Sequence, residues 1–105
     1  MKYLALAVHP PQACPSSNAA VKDSAKKALS NLESVSKKHN VKIEGSYVLT
    51  PSHKLVLVAD APNVEAFNRL LMEVGLTQWN EIEVYPTWSL QEAMKETDAL
   101  EPIKW

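Results

Sequence analysis

The chain predicts an α+β domain with a four-stranded antiparallel sheet. Two observations carry that prediction. Segments of strand and helix periodicity follow the order strand, helix, strand, strand, helix, strand, then a short tail. The middle strands are joined by only Thr50-Pro51-Ser52, a hairpin-length connection. A length of 105 residues suits one domain, and 46% hydrophobic with 22% charged residues is ordinary for a globular chain.

Tyr3 to Val8 reads as a strand buried on both faces, with Leu4, Leu6 and Val8 on one and Tyr3, Ala5 and Ala7 on the other. The small residues mark the face where something packs closely. His9-Pro10-Pro11 ends the strand, because proline offers no ladder donor. Ser16, Ser17 and Asn18 are all able to cap a helix running from about Ser17 to Lys38. Val21, Ala25, Ala28, Leu29, Leu32 and Val35 form its apolar stripe. Lys37, Lys38 and His39 suit its carbonyl end, and Asn40 can adopt the left-handed conformation that stops it.

The second strand is predicted over Val41 to Leu49, with Val41, Ile43, Gly45, Tyr47 and Leu49 sharing a face. The third, Lys54 to Ala59, is apolar on both faces through Leu55-Val56-Leu57-Val58. After a turn at Asp60-Ala61-Pro62, Asn63 caps a helix over Val64 to Val74, and Gly75 ends it. The fourth strand is expected at Glu81 to Tyr85. Ser89 and Glu92 have capping-box spacing for a short helix to about Thr97. The domain thus spans residues 1–88, with a helical tail over 89–105 in which Leu100, Ile103 and Trp105 supply apolar surface for docking.

Two strand-helix-strand units joined by a hairpin predict a ferredoxin-like fold, with sheet order 4-1-3-2 and both helices on one face. Strands one and three are apolar on both faces, which a sheet with one wet face does not require. A second copy of the chain, packed sheet to sheet, is the expected cover. The element order and the stretch VLVADAPNVEAFNRLLMEVG resemble the dimeric α+β-barrel superfamily, including its GYD-type domains. The chain is also similar to the nickel-binding ferredoxin-like family, whose members carry histidine just after the first strand. His9 occupies that place, although two prolines follow it where the family has a His pair. The resemblance covers about residues 1–88 and implies a homodimer. The superfamily's activities range from cofactor-independent monooxygenases and isomerases to haem enzymes and simple binding proteins, and fold does not choose among them.

Net charge is −1 and no basic run interleaves with aromatics, so a nucleic-acid partner has no support. No stretch is long enough to span a bilayer. The apolar run Tyr3–Val8 is too short for a signal core and is followed at once by two prolines. A lone cysteine forms no disulfide within the chain, and a reducing, cytoplasmic setting is expected. With only Gly45 and Gly75, glycine-rich phosphate loops and dinucleotide fingerprints are excluded.

The proposed topology brings the end of the first strand beside the start of the third. His9 and His53 fall at those points, Cys14 follows in the next loop, and Trp79 and Asn80 should be near. Imidazole and thiolate ligate zinc, copper or nickel, so His9, His53 and Cys14 are the candidate metal ligands. Tyr3, Tyr47, Tyr85 and Trp88 are candidates to line a small-ligand pocket on the sheet face, or to form dimer core. The leading expectation is a small dimeric protein that binds a transition metal or small ligand at the His9/His53 end. The alternatives are a cofactor-independent monooxygenase or isomerase working in a sheet-face pocket, and a module that only dimerises. The sequence does not decide whether the protein is an enzyme.

Overall fold

A computed structural model of the chain describes residues 1–101. Strands β1 (Lys2–Val8), β2 (Lys42–Leu49), β3 (Lys54–Asp60) and β4 (Glu81–Pro86) form one antiparallel sheet in the order β2-β3-β1-β4. Counted from the β4 edge, the same neighbours read 4-1-3-2. Helix α1 (Ala19–Lys38) crosses from β1 to β2, and α2 (Val64–Glu73) from β3 to β4. Helix α3 (Leu90–Ala99) follows the sheet. Ile103 and Trp105 lie outside the described residues.

Local chemistry sets the helix ends. Asn18 Oδ1 accepts from the Val21 amide and Asn63 Oδ1 from the Ala66 amide, each satisfying an orphan donor of a first turn. Asn40 and Gly75 take positive φ, 61° and 86°, just past the ends of α1 and α2. Ser89 and Glu92 close the capping box of α3. Helix α1 starts two residues later than predicted because Asn18, not Ser16, supplies the cap.

The core lies between the helices and one sheet face. Ala5, Ala7 and Ala59 are fully buried there, and their small side chains let Phe67, Leu70 and Leu71 of α2 approach closely. Tyr3 packs beside Phe67 with ring centroids 6.2 Å apart. Directly paired residues point to the same face, so Ile82 and Val84 join this side through their pairing with Ala7 and Ala5. Leu29, placed in the apolar stripe of α1 by its spacing, is 73% exposed at the margin of that stripe.

Strand β2 departs from strict alternation. Ile43 pairs with Ala59 and Gly45 with Val58, so one residue is inserted between them. The insertion moves Gly45, Tyr47 and Leu49 to the opposite face from Ile43 and turns Ser46 and Val48 toward the helices. The expected common face of Val41 to Leu49 therefore breaks at residue 44. A Cβ at Gly45 would lie 2.8 Å from the exposed Tyr47 ring, which would have to swing aside.

No helix among the described residues covers the other sheet face. It carries Leu4, Leu6 and Val8 of β1, Val56 and Val58 of β3, Tyr47 and Leu49 of β2, and Tyr85 of β4. None of these belongs to the buried core. Helix α3 has no buried residue. It leaves Leu90 and Met94, four residues apart and so on one helix side, exposed. The radius of gyration is accordingly 16.3 Å, against about 13 Å for a compact chain of this length.

Candidate metal centre

Strand β1 delivers His9 to the site by simple alternation. Tyr3, Ala5 and Ala7 are the inward side chains, and His9 is the next, only 5% exposed. Its amide donates to the His53 carbonyl at 3.1 Å, extending the β1–β3 ladder by one bond beyond the Val8–Lys54 pair. That bond places the two histidines side by side. Pro10 and Pro11 then turn the chain into a 3-10 turn over Pro11–Ala13, which sets Cys14 against the same corner. His53 reaches it from the β2–β3 connection with φ at 56°, in the left-handed region. Histidine is enriched there among non-glycine residues, yet the conformation still costs about 1–3 kcal/mol.

The result is a compact cluster. One ligand atom from each of His9, Cys14 and His53 lies within 4.8 Å of the others. The imidazole rings meet edge to face with centroids 5.6 Å apart. The Trp79 ring sits 5.1 Å from His9 and forms a wall of the cleft beside it.

A neighbouring amide settles the state of His9. Asn80 Nδ2 donates to the Leu76 carbonyl at 3.0 Å. Its Oδ1 therefore faces His9 Nδ1, at 2.9 Å, and that nitrogen must carry the hydrogen. The neutral ring then keeps its lone pair on Nε2. This atom is buried and has no hydrogen-bond partner among the described residues. A buried lone pair left unmet is costly, and a cation beside it removes the cost. Pairing of Val8 with Glu81 implies that residues 9 and 80 face each other, so the sequence signal for Asn80 is its place one residue before β4.

Cys14 is prepared as an anion. The Ser16 hydroxyl lies 2.9 Å from its sulfur. That hydroxyl first and then the Ser16 backbone amide are the largest causes that lower the thiol to about 6, with burial opposing them. At neutral pH the sulfur is mostly thiolate, the form that binds metals. Two imidazoles and a thiolate are a soft-to-intermediate donor set suited to zinc, copper or nickel, with a coordination position to spare.

The four aromatic candidates do not converge. Tyr3 is buried on the helix side, with its hydroxyl toward Met1 Sδ. Tyr47 and Tyr85 lie on the open face but on opposite edge strands, three strand spacings or roughly 14 Å apart. Tyr85 donates to the Glu83 carboxylate. Trp88 is exposed beyond β4. An apolar concavity of about 240 Å³ lies among Ala28, Leu32, Tyr47, Val48, Leu55 and Trp79, so Tyr47 lines it while Tyr3, Tyr85 and Trp88 do not.

No protein-family model matches the chain, and no curated protein does. Among solved structures it is similar to SCO4226 from Streptomyces coelicolor A3(2). The sequences are 18% identical, the TM-score is 0.55, and the match covers 85% of this chain and 100% of that one. That likeness and the antiparallel four-stranded sheet agree with a ferredoxin-like fold. No helix among the described residues is long and apolar enough to cross a membrane.

Proposed function

We propose that the protein binds a transition metal ion, zinc, nickel or copper, through His9, His53 and Cys14. The observation that carries this reading is the buried His9 Nε2 lone pair, fixed by the Asn80 hydrogen bond and without a partner among the described residues, on a ring that clusters with Cys14 and a second imidazole. A ligating histidine whose second nitrogen donates to a carbonyl is the usual metal-site arrangement, because that bond sets the tautomer and orients the ring. A thiolate ligand suits a reducing, cytoplasmic setting.

We propose in addition that a second copy covers the open sheet face, as in dimeric α+β barrels. The support is the half-buried apolar row on β1 and β3 together with an α3 that has no buried residue. Sheet-to-sheet packing would remove that row from water.

Protein purified without a histidine tag, then titrated with zinc and nickel, tests the site. Stoichiometric binding that His53→Ala weakens by more than about 100-fold, beyond what losing an outer-shell contact costs, is the expected result. Binding indifferent to His53→Ala would remove the reading. Sedimentation should give a dimer that Leu6→Glu dissociates, whereas a monomeric wild type would end the second proposal.

A further inference from the structure

We propose that the metal-free form of this corner is a thiol nucleophile site for activated acyl groups, esters or thioesters, with Cys14 as nucleophile, His9 as its acid–base partner and Asn80 as positioning residue. This shares the His9–Asn80 geometry with the metal reading but needs no metal.

The parts are those that nucleophilic catalysis requires. A thiol, an imidazole within reach of it, and a third group that orients the imidazole are the minimum set. Here Cys14 Sγ and an imidazole nitrogen of His9 lie within 4.8 Å. The Asn80 amide oxygen, 2.9 Å from Nδ1, holds His9 in the tautomer whose Nε2 can take a proton. Asn80 is itself tied down by its bond to the Leu76 carbonyl. A thiol–imidazole–amide set of these roles recurs on unrelated folds and is recognised by geometry, not by position in the chain. His9 is 5% exposed and its Nε2 is uncommitted, so the base is not consumed by another contact. The Trp79 side chain lies in the wall of the cleft next to His9.

The chemistry balances without an oxidant. The proton that leaves Cys14 is held on His9 Nε2 while the thiolate adds to the carbonyl carbon, forming a C–S bond. The bond from that carbon to the leaving oxygen or sulfur breaks, and the leaving group takes the proton from Nε2. Water then adds to the thioacyl carbon and gives a proton to Nε2. The C–S bond breaks, the carboxylic acid departs, and the pair again holds the thiolate with the proton on Nε2.

The test uses the full chain treated with a chelator and 4-nitrophenyl acetate as the acyl donor. Release of one equivalent of nitrophenolate in a burst, with the acetyl group on the peptide that carries Cys14, is expected. The burst should be faster than acetylation of free cysteine at the same pH. His9→Ala should slow it about 100-fold, a modest general acid–base contribution. Asn80→Leu should slow it about tenfold through misplacement of the ring, and Asn80→Asp, which keeps an acceptor toward Nδ1, should restore it. The Asn80 pair, checked by circular dichroism, keeps the test decisive if His9→Ala fails to fold. A rate no faster than free cysteine, or equal rates in wild type and Asn80→Leu, would overturn the proposal. Zinc binding without acylation leaves the metal reading standing and this one fallen; an acyl adduct on Cys14 without zinc binding does the reverse.

Discussion

The two ends of the sheet use polar groups in opposite ways. At the end where β1 begins, the Met1 α-amino group meets Asp60 Oδ1 at 3.0 Å and the Ala61 carbonyl at 3.2 Å. Both side chains are about half exposed, and each charge finds its partner within the chain. At the end where β1 stops, His9 is drawn inward beside a part-buried Cys14, and His9 Nε2 has no partner among the described residues. The first end is a completed contact, open to water and complete in itself. The second is held in place from behind, by the Asn80 amide on Nδ1. Burial makes the difference: a polar atom in water needs no protein partner, whereas a buried one left unpaired is costly.

The sharpest way to break this contrast is to remove the support behind His9. Asn80→Leu should weaken zinc binding by about 10- to 100-fold, the usual cost of losing an outer-shell partner, in a calorimetric titration. An unchanged affinity would show that His9 does not depend on its amide neighbour.

A smaller effect is expected at the thiol. In the metal-free protein, the ultraviolet absorbance of the Cys14 thiolate should titrate near pH 6, below the ordinary 9.0. Ser16→Ala should move the midpoint upward, since its hydroxyl is the largest cause of the lowering. The sign for stability follows from the direction of the shift. The thiolate's contribution is fully present above 9.0 and fades as pH falls toward about 6, where the folded protein also takes up the proton.

The least effect belongs to the other end. The α-amino group beside Asp60 holds its carboxyl below the ordinary value, so the pair's contribution is present above the ordinary carboxylate range. It is lost as pH drops through the depressed value. Because both partners are exposed, Asp60→Asn should lower the melting temperature only slightly, and by less still in high salt. A large drop would mean that the two ends are not as different as their burial implies.

Much of this was readable from residue types. Asn18 or its neighbours as a cap, Asn40 and Gly75 as stops, and the Ser89–Glu92 box are local chemistry that acts within a turn. The meeting of His9 with His53 followed from strand order alone. The β2 insertion at residue 44 was not readable, because alternation across Val41 to Leu49 looks continuous until the pairing with β3 is known. It separates Tyr47 from Ile43, and strand alternation separates Tyr3 from Tyr47 and Tyr85, so the expected aromatic set does not form. Ser16 was read as a possible cap, yet its hydroxyl faces Cys14 instead.

The order of periodic segments by itself determined the antiparallel sheet, the side on which both helices lie and the pair of histidines at one end, since hydrophobic period and right-handed crossovers leave few other arrangements. Tertiary structure alone decided which His9 nitrogen is free, that Asn80 holds the other, and that Ser16 lowers the thiol. Those outcomes depend on distances of about 3 Å between residues as many as 71 positions apart, and no pattern along a chain encodes a distance across it.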